Sequence, residues 1–267
     1  MYYYLLHLID QLLPFDKVKI IGVIQARMGS QRLPGKVMLP ILGKPIIWHI
    51  YNRLKKCNLL DMIVISTGDS VDNVSICEFA SENNIPIYVG SEEDLVDRLY
   101  KTAINFQASA IVRITADCPL VDPKIVDKLV SEYLTNKDQY DIITNCKIRT
   151  FPHGLDAEVY SVNTFEKLLD KMNVIELRDW FALYAYNHPE LFRILNISNS
   201  LDLSKLRWTL DYQEDYEFIK QIYQNLYKDD VIFYMDDVLN LLTQKPDIIK
   251  INSKYVDHHN VGAPKNL

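Results

Sequence analysis

The sequence predicts an α/β protein built on a mostly parallel, twisted sheet with helices on both faces. Short β-branched apolar runs recur along the first half of the chain, helical patterns separate them, and turn residues lie between. A strand–helix–strand order requires right-handed crossovers, which place consecutive strands parallel in one sheet. At 267 residues the chain is long enough for one large domain, or for one domain with a substantial insertion.

The first half of the chain provides the clearest elements. Helix 45–56 begins with a proline, and helix 122–134 opens on Asp122 and Pro123, an N-cap followed by proline at the first helical position. The other predicted helices are 71–84 and 94–106. The predicted strands are the apolar runs 18–24, 62–66, 86–90 and 110–115.

The second half is less regular. Its predicted strands are 141–145, 157–161, 192–198 and 206–210. Its predicted helices lie near 162–172, 176–187, 213–227 and 235–244. Because no glycine/serine linker, repeat or low-complexity stretch interrupts the chain, we expect one domain. Its later elements should cover one edge of the sheet and build a smaller C-terminal subsite or a dimer contact.

Composition and charge exclude several classes of protein. Hydrophobic residues make up 48% of the chain, so a core can form and disorder is not expected. The formal net charge of −6 argues against nucleic acid bound through phosphate neutralisation. Cys57, Cys77, Cys118 and Cys146 form no C-x-x-C pair. We therefore expect reduced thiols in a cytoplasmic protein rather than a zinc site or a disulfide framework.

Residues 1–17 form an apolar N-terminal extension that carries His7 and Asp10. The apolar stretch is too short to span a bilayer and lacks the basic leader of a signal peptide. We expect an amphipathic helix that docks on the domain or on a second subunit, with a peripheral membrane contact as the alternative. No other segment approaches transmembrane length, and residues 261–267 are predicted to be a tail.

The loop "QARMGSQRLPGK" follows the first strand, at the sheet edge where α/β proteins bind ligands. Gly29 and Gly35 tolerate φ > 0 and allow the backbone to approach an anion, while Arg27, Arg32 and Lys36 supply charge. The loop is not a Walker A motif, because five residues separate its glycines and valine follows the lysine. It predicts a polyphosphate site; the alternative is a solvated basic turn.

Four motifs together resemble one family. "IQARMGSQRLPGKVMLPILGKPIIWHI" resembles the opening of the cytidylyltransferases of sugar activation, most closely the spore-coat polysaccharide type and its relatives, the CMP-ketodeoxyoctonate and CMP-sialic acid synthetases. "RITADCPLVDP", "HGLDAEVY" and "LRWTLDYQEDYE" follow in the family's order, and the resemblance spans about residues 18 to 227. It implies a nucleotide-diphospho-sugar transferase (Rossmann-like) fold and a single nucleotidyltransferase domain at 18–260.

The resemblance also implies an activity. The expected reaction moves CMP from CTP onto a sugar acid, or a related phosphorylated or carboxylated acceptor, and releases pyrophosphate for surface glycan biosynthesis. Mg²⁺ is the expected cofactor, and a homodimer is the expected assembly. The preference for cytosine rests on the resemblance alone, so another nucleoside triphosphate stays an alternative.

Site residues follow from the resemblance and from their positions. The expected catalytic residues are Arg27, Arg32, Lys36, Asp117 and Asp211, of which Asp117 and Asp211 are the expected metal ligands. Capping is the alternative role for both aspartates: Asp122 is the better cap near Asp117, and Asp211 could cap helix 213–227. The expected nucleotide-binding residues are Gln25, Ala26, Gly29, Ser30, Gly35, Thr67, Asp69, Arg113, Thr115 and Ala116.

The acceptor is expected to contact His153, Asp156, Glu158 and Arg207. If 156–160 is a strand, Asp156 and Glu158 share a face; the alternative is an exposed edge strand with a solvated acidic face. Arg113 lies in the middle of an apolar strand, where an unpaired charge would be costly, so it should meet a carboxylate or a ligand.

One position departs from the family pattern. Trp180 stands where related proteins tend to carry histidine before "HPE", so an unusual or more apolar acceptor is expected if this segment lines the pocket. Two other readings stay open: a glycosyltransferase that uses a nucleotide-sugar, although no D-x-D motif follows a suitable strand, and a non-catalytic nucleotide-binding scaffold.

Overall fold

A computed structural model describes residues 18–258 and 263–264. The main sheet has seven strands, and among those described Glu158–Ser161 alone runs antiparallel to the others. Across the sheet the strands lie in the order Ile87–Gly90, Met62–Gly68, Ile20–Gln25, Ala110–Thr115, Glu158–Ser161, Ile142–Thr144 and Ile194–Asn196. The predicted mostly parallel sheet is confirmed. The predicted N-terminal extension at 1–17 and most of the tail at 261–267 lie outside the described residues.

The strands follow the apolar runs of the sequence. Two short strands, β2 (Pro40–Ile41) and β3 (Lys44–Pro45), pair with each other outside the main sheet. The strands of the main sheet are β1 (Ile20–Gln25), β4 (Met62–Gly68), β5 (Ile87–Gly90), β6 (Ala110–Thr115), β7 (Ile142–Thr144), β8 (Glu158–Ser161) and β9 (Ile194–Asn196).

The helices begin where the sequence places capping residues. Asp122 accepts a hydrogen bond from the Lys124 amide, and Pro123 is the first residue of its helix, as predicted. The helices are α1 (Ile46–Leu54), α2 (Val74–Glu82), α3 (Leu95–Asn105), α4 (Pro123–Asn136), α5 (Val162–Lys171), α6 (Phe181–Asn187), α7 (Gln213–Leu226), α8 (Met235–Gln244) and α9 (Asp247–Lys250).

Side chains alternate across β1 and so contribute to two hydrophobic cores. Ile20 and Ile24 pack into one core with α1, α4 and α7, whereas Ile21 and Val23 pack into the other with α3, α5 and α6. Helices therefore cover both faces of the sheet, as predicted. No helix in the described part of the chain is both long and apolar enough to cross a membrane.

The predicted strand at 206–210 is wrong. The segment is extended, but its backbone is bonded to two separate loops: the Trp208 amide donates to the His153 carbonyl at 2.6 Å and the Leu210 amide to the Asp117 carbonyl at 2.8 Å. A ladder with one partner strand is therefore absent from this described segment, and only an isolated bridge between His153 and Arg207 is formed. This crossing brings the end of the segment to the loop after β6.

The predicted helix at 176–187 is two elements. A 3₁₀ helix, Ile175–Trp180, precedes α6. Arg178 donates to the Met172 and Leu169 carbonyls and pairs with Asp94, which folds the first part back on the end of α5. The break turns Asp179 and Trp180 toward the carboxyl edge of the sheet.

Candidate active site

The loop after β1 is fixed by two backbone contacts. The Gly35 amide donates to the Met28 carbonyl at 3.2 Å, and the Met28 amide donates to Asn73 Oδ1 at 2.8 Å. Gly35 has φ +66°, as predicted, and begins the 3₁₀ turn at Lys36–Met38. Gly29 does not use the positive φ that it tolerates, and apart from its chain neighbours no described atom lies within 4 Å of the position its Cβ would take.

Lys36 joins the two predicted metal-binding aspartates. Its Nζ lies 3.1 Å from Asp117 Oδ2 and 2.9 Å from Asp211 Oδ1, and it donates to the Leu210 carbonyl at 2.8 Å. Because both oxygens lie within 3.1 Å of one nitrogen, they cannot be farther apart than twice that distance. Asp117 and Asp211, 94 residues apart in the chain, therefore converge on the predicted loop.

Mutual charge stabilises this arrangement. Burial alone would lower the pKa of the Lys36 ammonium, but the charges of Asp117 and Asp211 outweigh burial and raise that pKa. Burial would likewise raise the pKa of Asp117, but the positive charge of Lys36 and the Thr115 hydroxyl, which donates to Asp117 Oδ1 at 2.5 Å, hold it below its usual range. Lys36 and Asp117 are therefore both charged at neutral pH.

Arg207 lies behind Asp211 and away from the cleft. Its side chain is fully buried and bonds Asp215 through Nε and Nη2, each at 2.8 Å, while Nη2 lies 3.3 Å from Asp211 Oδ2. Asp215 also accepts from the Asp211 amide at 2.9 Å. Arg207 is therefore not placed to contact an acceptor as predicted, because its guanidinium is bound by Asp215, a carboxylate of α7. Its remaining contact supports Asp211.

The other two cations of the loop also meet carboxylates. Arg32 Nη2 lies 2.9 Å from Asp211 Oδ1, with its guanidinium 5.3 Å from the centre of the Tyr212 ring. Arg27 Nη1 lies 3.3 Å from Asp179 Oδ2, and both of these side chains are partly exposed. Each cation of the loop therefore has a carboxylate partner, while Arg27 and Arg32 keep part of their surface in solvent.

The cleft has two adjoining cavities. The first chamber, about 720 Å³, lies between the cationic loop and the end of β6; the second chamber, about 690 Å³, lies between the 146–158 segment and α6. Four residues line both chambers and so form the boundary between them: Arg113, Thr115, Asp179 and Trp180. Ligands in the two chambers would meet at this boundary.

Arg113 meets a carboxylate, one of the two predicted outcomes. Its Nη1 lies 2.5 Å from Glu158 Oε2, and its Nε donates to Gln25 Oε1 at 2.7 Å. Glu158 also accepts from the hydroxyls of Tyr160, at 2.8 Å, and Tyr186. Although burial would lower the pKa of Arg113, Glu158 raises it. The alternative of β8 as a solvated edge strand is wrong, because β8 lies between β6 and β7.

The second chamber contains most of the residues predicted to bind the acceptor. His153, Asp156 and Glu158 line it. Asp156 forms a two-pronged ion pair with Arg149, at 2.5 and 2.8 Å, and although burial opposes it, the Arg149 charge lowers the pKa of Asp156. Trp180 lines the same chamber. Its segment therefore borders the pocket as the sequence argument required, and an unusual or more apolar acceptor stays a prediction.

The predicted nucleotide-binding residues divide into two groups. Gln25, Gly29, Ser30, Arg113, Thr115 and Ala116 line the first chamber together with all five predicted catalytic residues. Ala26, Gly35, Thr67 and Asp69 do not line it. Thr67 is fully buried, and Asp69 accepts from the Glu92 amide at 3.1 Å, so the loop after β4 supports the cationic loop through Asn73 instead.

Sequence reasoning missed Asp179, Arg149, Lys147 and Tyr186, which line the cleft. Asp179 had a signal beside it, since its neighbour Trp180 was already marked as a departure from the family pattern. The others lie in segments without a chemistry-bearing motif.

The metal expectation can be tested on the donor set. No cluster of three or more histidine, cysteine or acidic side chains suited to a metal is found in residues 18–258 and 263–264. Mg²⁺, however, is commonly held by one or two carboxylates completed by phosphate oxygens and water. Asp117 and Asp211 both face the first chamber and already share a cation, the Lys36 ammonium. The residues fit a magnesium ion that arrives with a phosphate ligand.

A protein-family comparison decides the classification. The family model described as cytidylyltransferase matches residues 21–237. This chain belongs to the cytidylyltransferase family. The match includes the strands that border both chambers and the segment that carries Asp211. Membership of this family identifies the chain as a nucleotidyltransferase. The glycosyltransferase alternative gains no support from it.

Individual relatives agree with this cytidylyltransferase assignment. The spore coat polysaccharide biosynthesis protein SpsF of Bacillus subtilis is 31% identical over 239 residues, 85% of this chain and 95% of SpsF. The solved structure of a cytidylyltransferase from Leptospira borgpetersenii superposes with a TM-score of 0.83 at 34% identity, covering 87% of this chain and 97% of that one. A CMP:2-keto-3-deoxy-manno-octonic acid synthetase complexed with CTP shares the fold, with a TM-score of 0.60 at 16% identity, covering 78% and 100% of the two chains.

Proposed function

We propose that this cytidylyltransferase moves CMP from CTP onto a sugar acid, or a related phosphorylated or carboxylated acceptor, with release of pyrophosphate for surface glycan biosynthesis. The observation that carries the proposal is the contact of Lys36 with both Asp117 and Asp211 at the inner end of the cationic loop. A second chamber of similar size adjoins this one, as a two-substrate reaction requires.

The first chamber suits a nucleoside triphosphate. Arg27, Arg32 and Lys36 line it, and each is held by carboxylates that phosphate oxygens could replace. Arginine forks bind two phosphate oxygens at once, and Lys36 acts as a point charge. The choice of CTP over other triphosphates is supported by the family and by the relative solved with CTP.

Asp117 and Asp211 would hold Mg²⁺. The ion, when bound, neutralises negative charge on the phosphates. The role of the chain's own residues is then to keep these carboxylates charged and oriented. Thr115 orients Asp117, and the Arg207–Asp215 pair holds the backbone and carboxylate of Asp211.

The second chamber suits an anionic acceptor. Lys147 and Lys205 lie at its rim, and Arg149 and His153 line it further in. Arg113 at the boundary is fixed by Gln25 and Glu158, so its guanidinium is already oriented when a ligand arrives. Such fixed donors stabilise developing charge without reorganising. The acceptor oxygen then attacks the α-phosphorus in line with the departing pyrophosphate, and the chambers supply the alignment.

The test is a screen of the four ribonucleoside triphosphates against sugar acids and sugar phosphates, with pyrophosphate detection and mass identification of the product. We expect CTP to give pyrophosphate and a CMP- or CDP-linked product, and EDTA to stop the reaction until Mg²⁺ is restored. Turnover with nucleotide-sugars instead of triphosphates would contradict the proposal. A homodimer and a cytoplasmic location stay predictions, and sedimentation velocity checks the first.

A further inference from the structure

Asp179 lies at the boundary between the two chambers. It lines both of them, in the company of Arg113, Thr115 and Trp180. Of these four residues it alone carries a carboxylate. The 3₁₀ helix that contains it is anchored by the ion pair between Arg178 and Asp94, so its position is set by the fold and not by a ligand.

Four of the other carboxylates that line the chambers are more firmly engaged. Asp117 and Asp211 share Lys36, Asp156 binds two nitrogens of Arg149, and Glu158 binds Arg113 and two tyrosine hydroxyls. Asp257 pairs with Lys205, but it does not line the first chamber and so lies away from the boundary.

Asp179 is held more loosely. Within the described residues its one hydrogen bond or ion pair is to Arg27, at 3.3 Å, and the two side chains are 37% and 48% exposed. Pairs this exposed are weak because water screens them. A triphosphate in the first chamber offers Arg27 a stronger partner, because a guanidinium binds phosphate oxygens in a bidentate manner. Asp179 then loses this hydrogen-bond partner at the place where the acceptor must approach the α-phosphate, while the charge of the buried Arg98 guanidinium still acts on it.

We propose that Asp179 is a catalytic residue, which accepts the proton of the attacking acceptor hydroxyl after Arg27 has transferred from Asp179 to the triphosphate. This role rests on the function proposed above. The acceptor oxygen forms a bond to the α-phosphorus while the bond from that phosphorus to the α–β bridging oxygen breaks. Pyrophosphate leaves with the bonding electron pair, and the hydroxyl proton passes to Asp179 and from there to water.

The test compares Asp179→Asn and Asp179→Glu with the wild type. General-base catalysis contributes about 10²- to 10⁴-fold, so Asp179→Asn should lower kcat by at least about 100-fold. Asp179→Glu, which keeps a carboxylate, should recover at least about tenfold of that loss. Calorimetric titration with Mg-CTP, without acceptor, should show affinity in Asp179→Asn at least equal to the wild type, because the amide no longer competes for Arg27.

Asp170→Asn is the matched control. Its carboxylate is 70% exposed on α5, pairs with Lys171 and lies outside both chambers, so its kcat should equal that of the wild type. Circular dichroism should show that every variant is folded. Wild-type kcat in Asp179→Asn would overturn the role of Asp179 alone, and weaker Mg-CTP binding would overturn the exchange with Arg27. A wild-type protein that releases no pyrophosphate with any acceptor would overturn both this role and the proposed function.

Discussion

The three cations of the loop after β1 each meet a carboxylate across the cleft. Arg27 pairs with Asp179, Arg32 with Asp211, and Lys36 with Asp117 and Asp211. Burying a charge without a partner is costly. Because each of these cations has a carboxylate partner, the loop can carry three positive charges, although the net charge of the protein is −6. The same pairs mean that an incoming polyphosphate has to displace carboxylates, which favours ligands that bring their own cation.

Asp211→Asn is the residue-level test of the predicted chemistry. The substitution removes the negative charge that Asp211 presents to Lys36. It also removes one of the two proposed Mg²⁺ ligands, while the shape of the side chain is kept. We expect kcat for pyrophosphate release to fall by at least about 100-fold, the scale of losing one electrostatic contact in an active site. Steady-state kinetics at saturating Mg-CTP measures it, and the melting temperature shows that the fold is kept.

The matched control for this test is Asp236→Asn, an exposed aspartate in the first turn of α8. It should keep wild-type kcat. An Asp211→Asn variant with wild-type turnover would remove Asp211 from the catalytic machinery and leave its ion pairs with Lys36, Arg32 and Arg207 as a structural role. The capping role considered above is wrong, because Tyr212 is the N-cap of α7 and Asp215 completes its capping box.

Glu158→Gln should lower the free energy of unfolding, because it removes a buried charge while keeping the shape of the side chain. Glu158 is 4% exposed, and its carboxylate balances Arg113 and accepts from two tyrosine hydroxyls. Removing one charge of a buried pair leaves the other uncompensated, so we expect the free energy of unfolding to fall by about 3 kcal/mol. Urea denaturation measures this loss.

Asp97→Asn provides the comparison for Glu158→Gln. It breaks the ion pair with Lys101 within one turn of α3, where Lys101 is exposed. Such surface pairs contribute little because water screens them, so the loss should be much smaller than in Glu158→Gln. Equal losses in the two variants would show that the pair at the chamber boundary is not effectively buried.

At the scale of elements, the site depends on an extended segment that is not a strand. Residues 206–211 cross from the His153 loop to the Asp117 loop and bring Asp211 to Lys36. The crossing is tight at Gly154, where φ is +111° and a Cβ would lie 2.4 Å from the Trp208 carbonyl carbon. Glycine is required here both by conformation and by space.

Gly154→Ala should therefore displace the segment. We expect the free energy of unfolding to fall by about 2–4 kcal/mol, from the strained φ and the overlap with backbone. Activity under native conditions should fall as well, because Asp211 moves with the segment. Urea denaturation and pyrophosphate release measure the two effects.

Gly43→Ala separates conformational strain from crowding. Gly43 has φ +77°, but apart from its chain neighbours no described atom lies within 4 Å of the position its Cβ would take. Its substitution should cost only about 1 kcal/mol and leave turnover unchanged. If Gly154→Ala costs no more than Gly43→Ala, the close approach of the two backbones is not a constraint.

The sequence predicted elements well where a local signal defined them. Asp122–Pro123 placed the start of α4, and a β-branched apolar run placed β1, because capping and local composition are properties of neighbouring residues. The segment 206–210 was mispredicted as a strand because its β-type pattern is real, but the identity of its hydrogen-bond partners is not a local property. The break before α6 depends on Arg178 reaching Asp94, 84 residues away, and could not be predicted for the same reason.

At the scale of the whole molecule, the candidate site combines residues from distant segments. The loop after β1, the end of β6, the 3₁₀ helix before α6 and residue 211 all border the first chamber. The parallel order of β1 and β6 predicted that the first two would meet, since the carboxyl ends of parallel strands share an edge. The contribution of Asp179 depends on how the second half folds over that edge, which no pattern in the sequence specifies.

The stability of the whole molecule should depend on pH through carboxylates outside the Lys36 contact. Asp156 is bound by Arg149, and Asp141 is bound by Arg193 and Lys167 across β7, β9 and α5. Burial opposes ionisation at both positions, but these cations lower the pKa of each carboxyl in the folded protein. The unfolded chain, with carboxyl pKa values of about 3.9, therefore takes up protons first as the pH falls.

It follows that the contribution of these two carboxylates to the free energy of unfolding should be constant near neutral pH and should fall below about pH 4, toward the folded-state pKa values. Each such carboxylate adds at most about 1.4 kcal/mol per pH unit to the slope in that range, and less where water screens its ion pair. Asp141→Asn should remove one such contribution, whereas Asp170→Asn, on the exposed surface of α5, should leave the slope unchanged. Urea unfolding at pH 3 to 7, in EDTA so that metal binding does not contribute, measures the slopes. Equal slopes in Asp141→Asn and wild type would show that Arg193 and Lys167 do not hold this carboxylate ionised, because the acid-sensitive stability must then come from other groups.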